Sequence, residues 1–308
     1  MGPFARALQL AAEQHAAVSV EQLRRCGVSW RMRCTAVANG RLLMVEPTVA
    51  VVAGSADTWY RRLQVGLLAL GPDAWVSHEA AAALLEFDRA LAEPLHFTVP
   101  RGRHPTLGNG VVHTTAAVGH LDVIRFNGFR CSSATRAILD LAYLRIPRYR
   151  LAAAIDSAVR DQLTALPVLQ RRLAELRGPG RYGVRTLDRL LPDSGGETPL
   201  ERRFLRILRH NRLPRPTTQR RVIGPNGFVA RVDFHYEQFG IVVEVTGRKG
   251  HASDYERQRD AQRRNELLDL GLKVFEYTRG DVEDRPGWVA TTMAERLAAA
   301  GWTPLSSA

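Results

Sequence analysis

Only three cysteines occur in the 308 residues, Cys26, Cys34 and Cys131. Their odd number and lack of metal-ligand spacing exclude a disulfide scaffold and a zinc finger, and a reducing cytoplasm is the expected location. No uninterrupted apolar run approaches the ~18–20 residues that span a bilayer. The start, Met1-Gly-Pro-Phe-Ala-Arg6, has no basic segment followed by an apolar core, so no secretory signal and no membrane partner are expected. Lysine is nearly missing, with Lys249 and Lys273 the only two. Disorder is excluded too, since 45% of the chain is hydrophobic and 24% charged.

What is present is arginine. Lys and Arg total 43 against 31 Asp and Glu, a net charge of +12. The guanidinium fork matches phosphate oxygens, whereas an alanine- and arginine-rich usage also follows from GC-rich coding. The location of the charge is more informative than its total. Residues 201–221 hold eight arginines against the single acid Glu201, a local patch suited to a polyanion. At roughly 150 residues per domain the length implies two domains, or three small ones.

Apolar spacing predicts a helix from Phe4 to Gln14, and Ser19-Val-Glu-Gln22 is a capping box opening a second helix. Gly27 breaks it, and Ser29 caps a third helix that stops at Gly40. Residues 41–45 and 49–52 then read as a hairpin. Two short helices joined at a glycine and followed by a hairpin form the layout of a winged helix-turn-helix. Trp30, Arg31, Arg33 and Thr35 become candidate groove or phosphate contacts, while a protein–protein module is the alternative use of such a unit. Residues 57–192 mix helices with strands near 96–99, 111–114, 123–126 and 129–132, an α+β pattern without a catalytic constellation. His78, His96, His104, His113 and His120 are scattered there and read as surface or hydrogen-bonded residues. Asp140 reads as a helix-surface or buttressing group. Pro192-Asp-Ser-Gly-Gly196 has the composition of a linker and marks a domain boundary.

Beyond it, Thr198-Pro-Leu-Glu201 begins a helix, with threonine cap, proline at the first position and glutamate at the third. Strands are predicted over 228–234 and 240–246, with Glu244 and Thr246 on one face and Val243 and Val245 on the other. A turn near Gln238 places Asp233 almost opposite Glu244, with Cβ atoms about 4.5–5.5 Å apart. Two carboxylates that close resist ionising unless a cation lies between them. Mg²⁺ suits the pair, because it takes one or two carboxylates and fills its other positions with water and phosphate oxygens. A solvated carboxylate pair is the plain alternative. Residues 247–251 form a basic loop with Arg248 and Lys249, and His251 is placed for general acid–base work or a phosphate. A capping box at Ser253-Asp-Tyr-Glu256 opens a helix carrying Arg257 and Arg263, and residues 272–278 make a last strand.

Residues from Thr198 to about Trp288 resemble the nuclease-like domain related to the very-short-patch repair endonucleases, within the PD-(D/E)XK superfamily. The resemblance lies in Glu201, Asp233 before a hairpin, Glu244 in Ile-Val-Val-Glu-Val, Gly247, Gly250-His251, and Asp260, Arg263, Leu267 and Gly271 leading into Val274-Phe-Glu-Tyr-Thr278. It implies Mg²⁺ or Mn²⁺ on Asp233 and Glu244, with Glu201, Thr246 and His251 in the catalytic site. Two positions depart from the pattern: Thr246 stands where the superfamily usually has lysine, and Glu276 where relatives tend to carry arginine. Glu201 has a structural explanation as well, through its cap position. Residues 1–190 more weakly resemble the antitoxin half of AbiEi-type toxin–antitoxin systems, through Gly27-Val-Ser29, Asn39-Gly-Arg-Leu42 and Thr135-Arg-Ala-Ile-Leu-Asp-Leu141.

The resulting expectation is an α+β multidomain chain. It comprises a winged helix-turn-helix (1–56), an α+β antitoxin-like domain (57–192) and a PD-(D/E)XK-like αβββαβ domain (197–300). Its expected activity is Mg-dependent DNA endonuclease cleavage. Trp30, Arg31, Arg33, Arg202, Arg206, Arg248, Lys249, Arg257 and Arg263 are the expected DNA contacts. The alternative is a DNA-binding regulator whose nuclease-like domain is degenerate. A homodimer and a toxin partner remain open.

Overall fold

The computed structural model describes residues 1–102, 105–178, 183–196, 198–225, 227–247 and 254–303. The chain divides into two compact units, Met1–Arg150 with Arg172–Gly183, and Leu151–Arg171 with Val184–Ala308. Separate sheets and many helices make it an α+β multidomain protein.

In the first unit, helices α1 (Pro3–Glu13), α2 (Val20–Arg25) and α3 (Trp30–Ala38) begin where local chemistry satisfies their free N–H groups. Pro3 opens α1, Ser19 and Gln22 close a reciprocal capping box, and the Ser29 hydroxyl accepts from Met32 N–H. Strands β1 (Ala17–Ser19), β2 (Leu42–Glu46) and β3 (Val49–Val52) form a sheet in the order β1-β3-β2. The sequence reading lacked β1, because three buried residues show no period; pairing with β3 defines the strand. Helix α4 (Trp59–Leu70), capped by Thr58, lays Val65, Leu68 and Ala69 over Ala17, Val49 and Val51. The first 56 residues therefore share a core with α4.

The second sheet of this unit runs β6-β5-β4-β8-β7. Its strands are β4 (Trp75–Val76), β5 (His96–Pro100), β6 (Val111–Thr115), β7 (Val123–Phe126) and β8 (Phe129–Ser132). Helices α5 (His78–Leu84) and α6 (Ala134–Tyr143) pack together beside it. On α4, a Cβ at Gly66 would lie 2.2 Å from the Phe97 ring, so only glycine allows this approach. Buried Arg136 is held by Asp140 at 2.7 Å and Asp122 at 3.1 Å. Asp140 is thus a buttress.

Helices α7 (Arg148–Arg160) and α8 (Leu166–Glu175) are shared between the units, and α9 (Val184–Leu190) lies in the second. There the chain runs α10 (Pro199–His210), β9 (Thr217–Gly224), β10 (Gly227–Tyr236), β11 (Ile241–Thr246), α11 (Asp254–Asp269), β12 (Lys273–Thr278), α12 (Arg279–Asp284) and α13 (Pro286–Ala298). The sheet order is β12-β11-β10-β9, with β9, β10 and β11 antiparallel and β12 parallel to β11. A parallel neighbour requires a crossover, which α11 supplies. Phe204 packs on Phe234 and Tyr277 at ring separations of 4.8 and 5.6 Å, at the centre of a core shared with Val243, Met293 and Leu297. Burying each such ring contributes about 1.5–3 kcal/mol. Val222, Val232, Val242 and Leu267 form a second core with Leu270.

Two expectations change. The linker-like stretch is not exposed: Leu191–Asp193 is a short 3-10 turn, and Ser194, Gly195 and Gly196 are buried. The Gly195 N–H donates to Asp156 at 2.9 Å, and a Cβ on Gly196 would meet Glu201 at 2.7 Å. These turn formers serve close backbone packing. Arg202, expected on DNA, is also buried; it pairs with Asp156 at 2.7 Å and donates to Leu190 O, Ala152 O and Ser194 Oγ. An amphipathic helix with arginines all round must turn one of them inward, and Asp156 neutralises that one.

Candidate functional site

Four strands of the second unit contribute one polar residue each to a single row. The β9–β10 pairs Val232 with Arg220 and Phe234 with Thr218 bracket Gln219 and Asp233. The β10–β11 register of Phe234 with Val243 continues to Asp233 and Glu244, and the parallel pairing sets Glu244 against Glu276. Residues opposite one another share a face, and neighbouring strands are about 4.7–4.9 Å apart. The expected juxtaposition of Asp233 and Glu244 is therefore present, and Glu276 extends it to three carboxylates. Like charges placed this way repel.

The structure distributes partners along the row. Asp233 Oδ2 accepts the Val245 N–H at 2.9 Å, and Glu244 Oε1 takes Arg263 from α11 at 2.5 Å. Glu276 accepts from the Thr246 hydroxyl at 2.9 Å and from Arg264 at 2.7 Å. Behind Asp233, the Gln219 amide donates to Glu201 Oε2 at 2.8 Å, while Glu201 Oε1 accepts from Thr198 Oγ1 at 2.9 Å. Burial raises the Asp233 pKa above its ordinary value, against the downward pull of the Val245 N–H and the Gln219 side chain. Burial raises Glu244 most, to about 7, and the Asp233 charge adds to this against the opposing pull of Arg263.

Glu201, Asp233, Glu244 and Thr246 are thus brought into one connected set. Glu201 is buried and spans to Gln219, so it does more than cap α10. Sequence reasoning missed Gln219; it holds a left-handed φ of 50°, a strained value for a non-glycine strand residue and one that composition does not reveal. Arg263, expected on a phosphate, is instead paired with Glu244. Arg206 stays half-exposed but pairs with buried Asp193 at 3.3 Å, and Arg209 joins it at 2.7 Å. The arginine patch is therefore partly neutralised. Arg248, Lys249 and His251, together with the side chain of Arg257, lie outside the described residues.

In the first unit, α3 presents Trp30 with 69% of its surface exposed, alongside exposed Arg31 and Thr35, and Arg33 is half-buried. That unit also contains a cluster that sequence reasoning did not find. His78, His96 and His113 each offer a ring nitrogen, and these nitrogens all lie within 4.8 Å of one another. The histidines sit on three different elements, so no spacing signals them. Their sequence description as scattered is corrected by the sheet register. His120, by contrast, is exposed, and His104 lies outside the described residues.

Among the described residues no helix is long and apolar enough to cross a membrane. No family model matches the chain. It is similar to two proteins of Mycobacterium tuberculosis, the uncharacterized protein Rv2248 of strain ATCC 25618 / H37Rv and the uncharacterized protein MT2308 of strain CDC 1551 / Oshkosh. Each is 28% identical over 264 residues, covering 85% of this chain and 94% of the relative. The crystal structure of the RV2827C protein from the same species is 17% identical, with a TM-score of 0.45 over 72% of this chain and 89% of that one.

Proposed function

We propose that the second unit is a metal-dependent DNA endonuclease domain of the PD-(D/E)XK type, and that the helix-turn-helix layout of residues 1–56 delivers it to duplex DNA. The observation that carries this reading is the Asp233–Glu244 pair, half-buried side by side with Glu244 raised to about 7. The order of α10, three antiparallel strands, α11 and a parallel strand supports it, being the αβββαβ layout that the resemblance implies.

The donor set fits a hard divalent ion. Asp233 and Glu244 supply oxygens from adjacent strands, and Glu244 Oε2 makes no hydrogen bond among the described residues. Bound there, Mg²⁺ or Mn²⁺ supplies polarisation of a scissile phosphate and a lowered pKa for an attacking water. The chain's own part is to ionise Glu244, to free it from Arg263, and to hold Asp233 through Gln219 and Val245 N–H. A released Arg263 guanidinium is placed to hold a phosphate oxygen. Thr246 keeps Glu276 turned toward Arg264, which limits repulsion in the row.

The test is cleavage of supercoiled plasmid with Mg²⁺ or Mn²⁺. Wild-type protein is expected to cut, and Asp233→Asn and Glu244→Gln are expected not to. Wild-type protein that cuts with neither ion overturns the reading. A second reading rests on the 2.5 Å Arg263–Glu244 pair, which neutralises Glu244 without any metal. In it the domain is a degenerate nuclease fold in a DNA-binding, antitoxin-like regulator. Arg263→Ala separates the two: it leaves divalent-ion binding intact or tighter in an endonuclease, and creates none in a degenerate site.

A further inference from the structure

We propose that His78, His96 and His113 form a site for one divalent transition-metal ion of the zinc class, held by three imidazoles. The site lies in the first unit and is independent of the nuclease reading. Its geometry follows from the sheet. His96 and Thr98 are two apart on β5 and so share a face, and the parallel register sets His113 of β6 beside Thr98. Ser77 follows β4 and donates its N–H to the His96 carbonyl, which brings His78 over the same face. The His78 ring stacks on His113 at 3.7 Å, and His96 Nδ1 lies 2.8 Å from His113 Nε2.

Two features distinguish this set from histidines filling a core. Ser77 Oγ, itself receiving the Thr98 hydroxyl at 2.7 Å, lies 2.9 Å from His78 Nδ1, which anchors the ring and leaves Nε2 outside that contact. A hydrogen-bonded partner on the other ring nitrogen is what orients a metal-ligating histidine. His78 also holds a left-handed φ of 50°, and such strain persists where the surroundings impose it.

Imidazole donors select Zn²⁺, Co²⁺, Ni²⁺ or Cu²⁺ over Mg²⁺. A Zn–N bond of about 2.0–2.1 Å in tetrahedral geometry separates two nitrogens by roughly 3.3 Å. The 2.8 Å His96–His113 contact must therefore open by about half an ångström, and because imidazole lone pairs lie in the ring plane, the stacked His78 ring must rotate off His113 to aim its nitrogen at the same ion.

The experiment uses the full chain stripped with EDTA and titrated with Co²⁺. Ligand-field absorption bands of tetrahedral Co²⁺ are expected to saturate at one ion per chain and to vanish on adding Zn²⁺. His113→Gln, at a half-buried ring, is expected to lose the bands while melting as a folded protein without metal, and His78→Ala is expected to do the same. Asp233→Asn/Glu244→Gln is expected to retain them. The proposal is overturned if folded wild-type protein gives no bands and retains no Zn²⁺ through gel filtration. It is also overturned if the bands survive in folded His113→Gln, or disappear in the carboxylate double variant.

Discussion

Replacing Glu244 by Gln tests the electrostatics of the carboxylate row directly. The folded protein holds this carboxyl at about 7 against an ordinary 4.5, so it binds the proton more tightly than the unfolded chain does. Stability therefore falls as pH rises from about 4.5 to about 7, and is level on either side of that window. At about 1.4 kcal/mol per pH unit the gap corresponds to roughly 3 kcal/mol. Only 16% of the side chain is exposed, so solvent screening removes little of it. Glutamine cannot ionise and so avoids this cost. In urea denaturation with EDTA, the variant is expected to match wild type below about pH 4.5 and to exceed it by up to about 3 kcal/mol above about pH 7. Adding Mg²⁺ is expected to stabilise wild type at the higher pH and to leave the variant unchanged. Parallel pH profiles for the two proteins, or a variant less stable than wild type at the higher pH, would refute the argument.

Asp156→Ala leaves the buried Arg202 guanidinium without its carboxylate and is expected to cost about 3–5 kcal/mol in chemical denaturation, much of it recovered on adding Arg202→Met. Gly66→Ala drives a methyl into the Phe97 ring, and a loss of about 1–3 kcal/mol is expected, read as a lower midpoint without a change in slope. Arg31→Ala on α3 is expected to weaken duplex binding and to reduce the slope of log K against log salt by about 0.9, one phosphate contact; an unchanged slope would remove Arg31 from the interface. Each measurement addresses a different element.

Much of the frame is legible in the chain because caps and turns are local chemistry. Ser19 with Gln22, Ser29 and Thr198 begin helices where expected, since each accepts an N–H three residues along. The Asp233–Glu244 pairing was legible for a similar reason: a short turn between two alternating strands leaves few registers. By itself the sequence thus determined the helix starts, the strand faces and the nearness of two carboxylates. Tertiary structure alone decided how those groups are used. Arg202 faces Asp156, Gln219 links Glu201 to Asp233, Arg263 sits on Glu244, and three histidines from separate elements meet on one sheet face. Local rules reach a few residues along the chain, whereas neutralising a buried charge or gathering imidazoles depends on which distant segments the core forces together.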